Sequence, residues 1–139
     1  YDFNSDESLP PQLRTRVQAM VEALQAKNGA AWVANFNLNY LYRLAKGQVA
    51  YDANLFGGTA EDAQRFQQGL GHVQSPEELA QIVGGSLNSS DGEIYITAIV
   101  LNEAGDHARG KCVNKSQNRT VVTSPQWHFF DGAWWQIDD

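Results

Sequence analysis

A single cysteine, Cys112, leaves this chain without an internal disulfide and without a multi-cysteine metal site. One free thiol is most simply read as a small buried hydrophobe, not as a nucleophile. No apolar run approaches the roughly 18 residues of a spanning helix, so the chain is not expected to cross a membrane. Basic residues are scarce as well: 10 Lys and Arg stand against 16 Asp and Glu, a net charge of −6. Holding a phosphate backbone needs clustered Lys and Arg, and nucleic acid is set aside as a partner. His72, His107 and His128 show no His-x-x-x-His spacing, and no Asp/Glu cluster has ligand spacing, so no metal and no cofactor is expected. No Gly-x-Ser-x-Gly, Ser-x-x-Lys or Cys/His pairing stands out. Gly57-Gly58-Thr59 and Gly69-Leu-Gly71 lack the strand-to-helix setting of a phosphate loop and read as helix caps.

What is present describes a folded domain. The hydrophobic fraction is 42% and the chain of 139 residues carries fifteen aromatics, enough for one core. A polar stretch, 1–11, ends in Pro10-Pro11 and is read as a flexible segment before a single domain over 12–139. Such a start fits a stub left after a leader is removed. Asn and Gln supply 22 positions while charged residues make up only 19%, which favours an exported, extracytoplasmic protein over a cytoplasmic one. Asn88-Ser-Ser, Asn114-Lys-Ser and Asn118-Arg-Thr match glycosylation acceptors, which matter only in a eukaryotic secretory setting.

Leu13, Val17, Met20, Val21 and Leu24 recur at three and four, one stripe of a helix ending near Asn28-Gly29. Ala30 to Phe36 reads as a short second helix. Leu38 to Ala45 and Val49 to Phe56 read as two short strands, the first from the alternation of Leu38, Tyr40 and Tyr42 with Asn39, Leu41 and Arg43. Thr59-Ala-Glu-Asp opens a helix to about Gln68, and Ser75-Pro-Glu-Glu opens another to Gly84-Gly85. After the loop Asn88 to Gly92 the period becomes two: Glu93 to Asn102, His107 to Lys115, Thr120 to Phe130 and a closing strand form an antiparallel meander. In the first strand Ile94, Ile96, Ala98 and Val100 are expected on one face. In the second, the small residues Ala108, Gly110 and Cys112 should face the helices. Asp131-Gly132 predicts a tight hairpin turn. Helices followed by an antiparallel sheet make an α+β domain.

The helix pair Leu13 to Phe36 and the tail Phe130-Asp-Gly-Ala-Trp-Trp-Gln-Ile-Asp138 resemble the NTF2-like superfamily, also called cystatin-like or SnoaL-like. The resemblance covers the order of elements over most of the chain and is specific only at the tail. It implies helices packed on a curved antiparallel sheet, a cone with a pocket, and frequent homodimers through the outer sheet face. Members include ketosteroid isomerases, dehydratases, cyclases and non-catalytic modules, so fold alone does not decide function. The segment between Tyr40 and Gly92 departs from the usual pattern, and no catalytic set transfers.

Two readings follow. In the leading one the chain is a non-catalytic binding or protein-interaction module, with a small apolar ligand or a protein as partner. Its pocket would be lined by Trp32, Phe36, Tyr40, Tyr42, His128 and Phe130. Tyr95, Trp127 and Trp134 would form the interface, where Tyr and Trp are enriched. The alternative is a cofactor-free isomerase, dehydratase or cyclase with His128 as base and Tyr42 or Tyr40 as proton donor. Asp106 and His107 are adjacent on a strand, point to opposite faces and cannot form a dyad.

Overall fold

The computed structural model describes residues 9–85 and 93–138. Residues 1–8, 86–92, which include Asn88-Ser-Ser, and 139 lie outside the described residues. Leu9 is already buried and Pro11 opens the first helix, so only 1–8 of the expected N-terminal segment stay outside the described fold.

Among the described residues five helices come first: α1 (Pro11–Gln25), α2 (Gly29–Val33), α3 (Leu38–Ala45), α4 (Ala60–Leu70) and α5 (Pro76–Gly85). Strands β1 (Glu93–Leu101), β2 (His107–Lys115), β3 (Thr120–Thr123), β4 (Gln126–Phe130) and β5 (Ala133–Asp138) follow. The chain is thus an α+β fold with helices packed on an antiparallel sheet. The α1 stripe is as read: Leu13, Val17 and Met20 are buried, with Pro11 at the first helical position, where a missing N–H loses nothing. Thr59 and Asp62 complete a reciprocal capping box on α4, and Ser75 Oγ accepts from Glu78 N–H at the start of α5.

The segment Leu38 to Ala45 is a helix and not a strand. The Asn37 side chain accepts the Tyr40 N–H as a cap, and Tyr40, Leu41, Leu44 and Ala45 are buried at helical spacing. Val49 to Phe56 is likewise irregular backbone. The Tyr40 hydroxyl accepts from Asp52 N–H at 2.9 Å and donates to the Ala50 carbonyl at 3.0 Å, replacing bonds that a neighbouring strand would have made.

In the sheet, β1 pairs β2, β4 pairs β2 and β5, and β3 pairs the far half of β2. The expected long third strand is interrupted at Ser124-Pro125, where proline can give no ladder N–H. A bulge between Ile96 and Ala98 inserts Thr97 and reverses the alternation of β1. Ile94 and Ile96 are buried, but beyond the bulge Ile99 and Leu101 pack on the core while Val100 is exposed. The expected common face of Ile94, Ile96, Ala98 and Val100 therefore holds only for its first half. Ala108, Gly110 and Cys112 do face inward, and a Cβ on Gly110 would lie 3.0 Å from the Trp127 ring. Asp131 and Gly132 take φ of 53° and 79°, the paired positive values of the tight hairpin turn.

Two apolar clusters result. One joins α1 and α2 to the sheet; the other lies among α3, α4, α5, Leu55 and Val73, and Phe36, Leu38 and Val83 pack against both. The helical half is pinned to the last strand by Gln136 N–H to the Asn35 carbonyl at 2.7 Å. Arg16 adds a second tie, with Nε donating to the Trp134 carbonyl at 2.9 Å and Nη1 to that of Ala34 at 3.2 Å.

Candidate functional site

The meeting of the two clusters is imperfectly filled. α2, α3, α4 and the 55–58 loop border a half-open cavity of about 450 Å³, walled by Trp32, Phe36, Leu41, Leu55, Phe66 and Ile137 among others. Such a volume suits a small ligand. Trp32 and Phe36 meet edge to face at 5.1 Å, and Phe56 stacks obliquely on Phe66 at 5.6 Å, so the aromatic walls support each other. Gly58 lets the loop press on α4, since a Cβ there would meet Asp62 at 2.8 Å.

Asp62 is the one ionisable residue in this wall among the described residues, and its carboxylate is committed. It accepts the Thr59 N–H at 2.9 Å and pairs with Arg65. The Thr59 backbone bond first, and Arg65 second, hold it below the ordinary aspartate range.

A second cavity of about 770 Å³ lies across Phe36, Leu38 and Leu55, which line both. Its far side is polar and aromatic: Tyr40, Arg43, Asp52, Phe130, Asp131 and Trp135. The Tyr40 hydroxyl is engaged on both its sides, and burial pushes its pKa above the ordinary tyrosine value, so it stays protonated. Trp135 donates its Nε1–H to the Phe130 carbonyl, and the Arg16 guanidinium lies 5.2 Å from its ring centroid.

The residues singled out from sequence are thereby separated. Trp32 and Phe36 line the first cavity, and Phe36, Tyr40 and Phe130 the second. Tyr42 lines neither; its hydroxyl donates to the Gln74 carbonyl at 3.2 Å. His128 lines neither. Its neighbour Trp127 points into the core, so the His128 ring is on the opposite face of the sheet, 6.0 Å from that of His107. His107 Nε2 in turn meets Gln126 Oε1 at 2.9 Å, and Asp106 accepts from the Asn102 amide at 2.7 Å. His128 and Tyr42 are thus not brought together.

Of the expected interface residues, Tyr95 is exposed on β1, but Trp127 and Trp134 are corrected to core positions, 0% and 4% exposed. Trp127 fills the space above Gly110, and Trp134 packs on the α1 and α2 side of the sheet. Leu55, Phe56, Phe66 and Arg43 were not singled out by sequence, whereas Trp135, read there as possible wall material, lines the second cavity. The legible trace of them was Gly57-Gly58-Thr59, which marks where the cavity loop meets α4. Among the described residues no group of three or more His, Cys, Asp or Glu could hold a metal ion, and no helix is long and apolar enough to cross a membrane. Comparison with family models, with curated proteins and with solved structures finds no match for the chain.

Proposed function

We propose that the chain is a non-catalytic, exported binding module of NTF2-like architecture that holds a small apolar ligand in the 450 Å³ cavity. One observation carries this: the cavity wall is apolar and aromatic, and its single carboxylate among the described residues, Asp62, is spent on the Thr59 cap and Arg65. Proton transfer needs a group with a free lone pair beside the reacting atom, whereas an apolar ligand needs only surface to exclude water from. The alternative with His128 as base lacks support from position, because His128 lines neither cavity. A protein-contact role is favoured by a different observation: Tyr95, Val113 and Val122 are direct cross-strand neighbours, with Tyr95 and Val122 exposed, and this row suits a homodimer.

The test is titration with a neutral naphthylamine fluorophore, read by probe emission and by energy transfer from tryptophan. Saturable one-to-one binding is expected, weakened about tenfold by Phe66→Ala, the loss of one aromatic wall. Trp32→Phe should keep binding and lower the transfer. Absence of saturable binding to the folded wild type overturns the reading.

A further inference from the structure

We infer that Asn118, at the tip of the β2–β3 hairpin, is an N-glycan acceptor and that Asn114, four residues earlier, is not; this rests on the exported reading above. Asn114-Lys-Ser and Asn118-Arg-Thr both carry the acceptor pattern, as does Asn88-Ser-Ser outside the described residues. The pattern alone is an address. Its use depends on how the folded chain presents it, because the transferase must draw the amide and the hydroxyl two residues on into its own site, which only a surface segment allows.

The two sites are presented in opposite ways. Asn114 lies inside β2, where it pairs with Ile94 of β1 on one side and Val121 of β3 on the other, and it is partly buried. Its hydroxyl partner is engaged as well, since Ser116 Oγ donates to the Arg119 carbonyl at 3.0 Å. Reaching Asn114 means parting three strands. Asn118 stands beyond the ladder, whose last pair is Lys115 with Thr120, in a turn closed by the Ser116 N–H to the Arg119 carbonyl at 2.8 Å. Asn118, Arg119 and Thr120 are all exposed, so the whole acceptor is reached without breaking a strand pair. In the reaction Asn118 Nδ2 attacks C1 of a polyprenyl-diphosphate-linked oligosaccharide. The C1–N bond forms, the C1–O bond breaks, and the amide gives up one proton as the polyprenyl diphosphate leaves. That donor is used on the extracytoplasmic side of a membrane, which is why the inference depends on export. Neither Asn118 nor Thr120 lines either cavity, so the glycan and an apolar ligand do not compete for space.

The experiment secretes the full chain from cultured insect cells behind a cleavable leader. Occupancy is read residue by residue by enzymatic glycan release in heavy-oxygen water and peptide mass spectrometry, since release turns a glycosylated Asn into a labelled Asp. Asn118 should be occupied and Asn114 bare. Thr120→Ala, which keeps Asn118 and removes only the hydroxyl, should abolish the occupancy, whereas Thr120→Ser should retain it. Both variants should fold, because position 120 is exposed at the start of β3. A folded, secreted chain with Asn118 bare, or with the glycan on Asn114, overturns the inference and leaves the exported reading intact. Fractionation of the source cells tests that reading by itself, and a chain found only in the cytoplasm overturns both.

Discussion

Replacing Gly29 by alanine puts a methyl group into a close backbone approach between α2 and α5. A Cβ at Gly29 would lie 2.3 Å from the Gly84 carbonyl oxygen and 2.8 Å from its carbon, and a Cβ at Gly84 would in turn lie 3.0 Å from Gly29. Every one of these neighbours is backbone except Val33 Cγ2, so no rotamer change relieves the clash. Ordinary contact begins near 3.4 Å, and α2 and α5 must separate by about 1.1 Å, the difference between 3.4 and 2.3 Å. A gap of that size forfeits about a quarter to a half of each contact well it opens, and overpacking of this kind costs about 1–3 kcal/mol. Gly69 provides the opposite case. It lies within α4 with nothing inside 4 Å of a built Cβ, so Gly69→Ala should stabilise by about 0.5–1 kcal/mol through helix propensity. The same chemical change thus has opposite signs at two glycines. Urea denaturation followed by tryptophan emission should show a lower midpoint for Gly29→Ala and a higher one for Gly69→Ala. At about 4 °C per kcal/mol for a chain of this size, Tm should fall by about 4–12 °C and rise by about 2–4 °C respectively. Because Val33 and Val83 beside the contact also line the first cavity, Gly29→Ala should weaken probe binding too. A Gly29→Ala protein as stable as the wild type would refute the close approach and the reasoning built on it.

Two further outcomes follow from single side chains. Burial pushes the Cys112 thiol above its ordinary pKa, so at pH 8 it should react with an aromatic disulfide reagent only slowly in the native protein and quickly in urea; rapid native labelling would contradict its burial. The Asp62 carboxyl is held below the ordinary value of 3.8, so its contribution to stability is present above that value and is lost as pH falls through the lower folded one. Asp62→Asn should melt below the wild type at pH 7, with the gap closing towards pH 3 by circular dichroism, and a gap constant with pH would remove the carboxylate from the cap.

Features that depend on a few consecutive residues were legible in the sequence. The Asp131-Gly132 turn, the Thr59 and Ser75 caps and the apolar stripe of α1 follow from φ preferences, side-chain reach over three residues and helical period. The α3 segment was ambiguous because Leu38, Tyr40 and Tyr42 satisfy a period of two while Leu41, Leu44 and Ala45 satisfy a helix. The Asn37 cap and burial against α4 and α5 decide for the helix. Half of the candidate site was legible in the same way: aromatic residues such as Trp32, Phe36, Tyr40 and Phe130 marked themselves as wall material. His128 and Trp134 did not reveal their side.

The amino-acid sequence by itself determined that helices come first and an antiparallel sheet follows, the closing hairpin, and the absence of spacing for metal, disulfide or phosphate chemistry. Only the tertiary structure decided that Thr97 bulges and turns Val100 outward, that Trp127 and Trp134 fill the core, and that Gly29 seats α2 on α5. It alone opened the cavity between two apolar clusters. Turn and cap preferences act within one chain segment, whereas the face a side chain buries depends on which distant surface arrives to cover it.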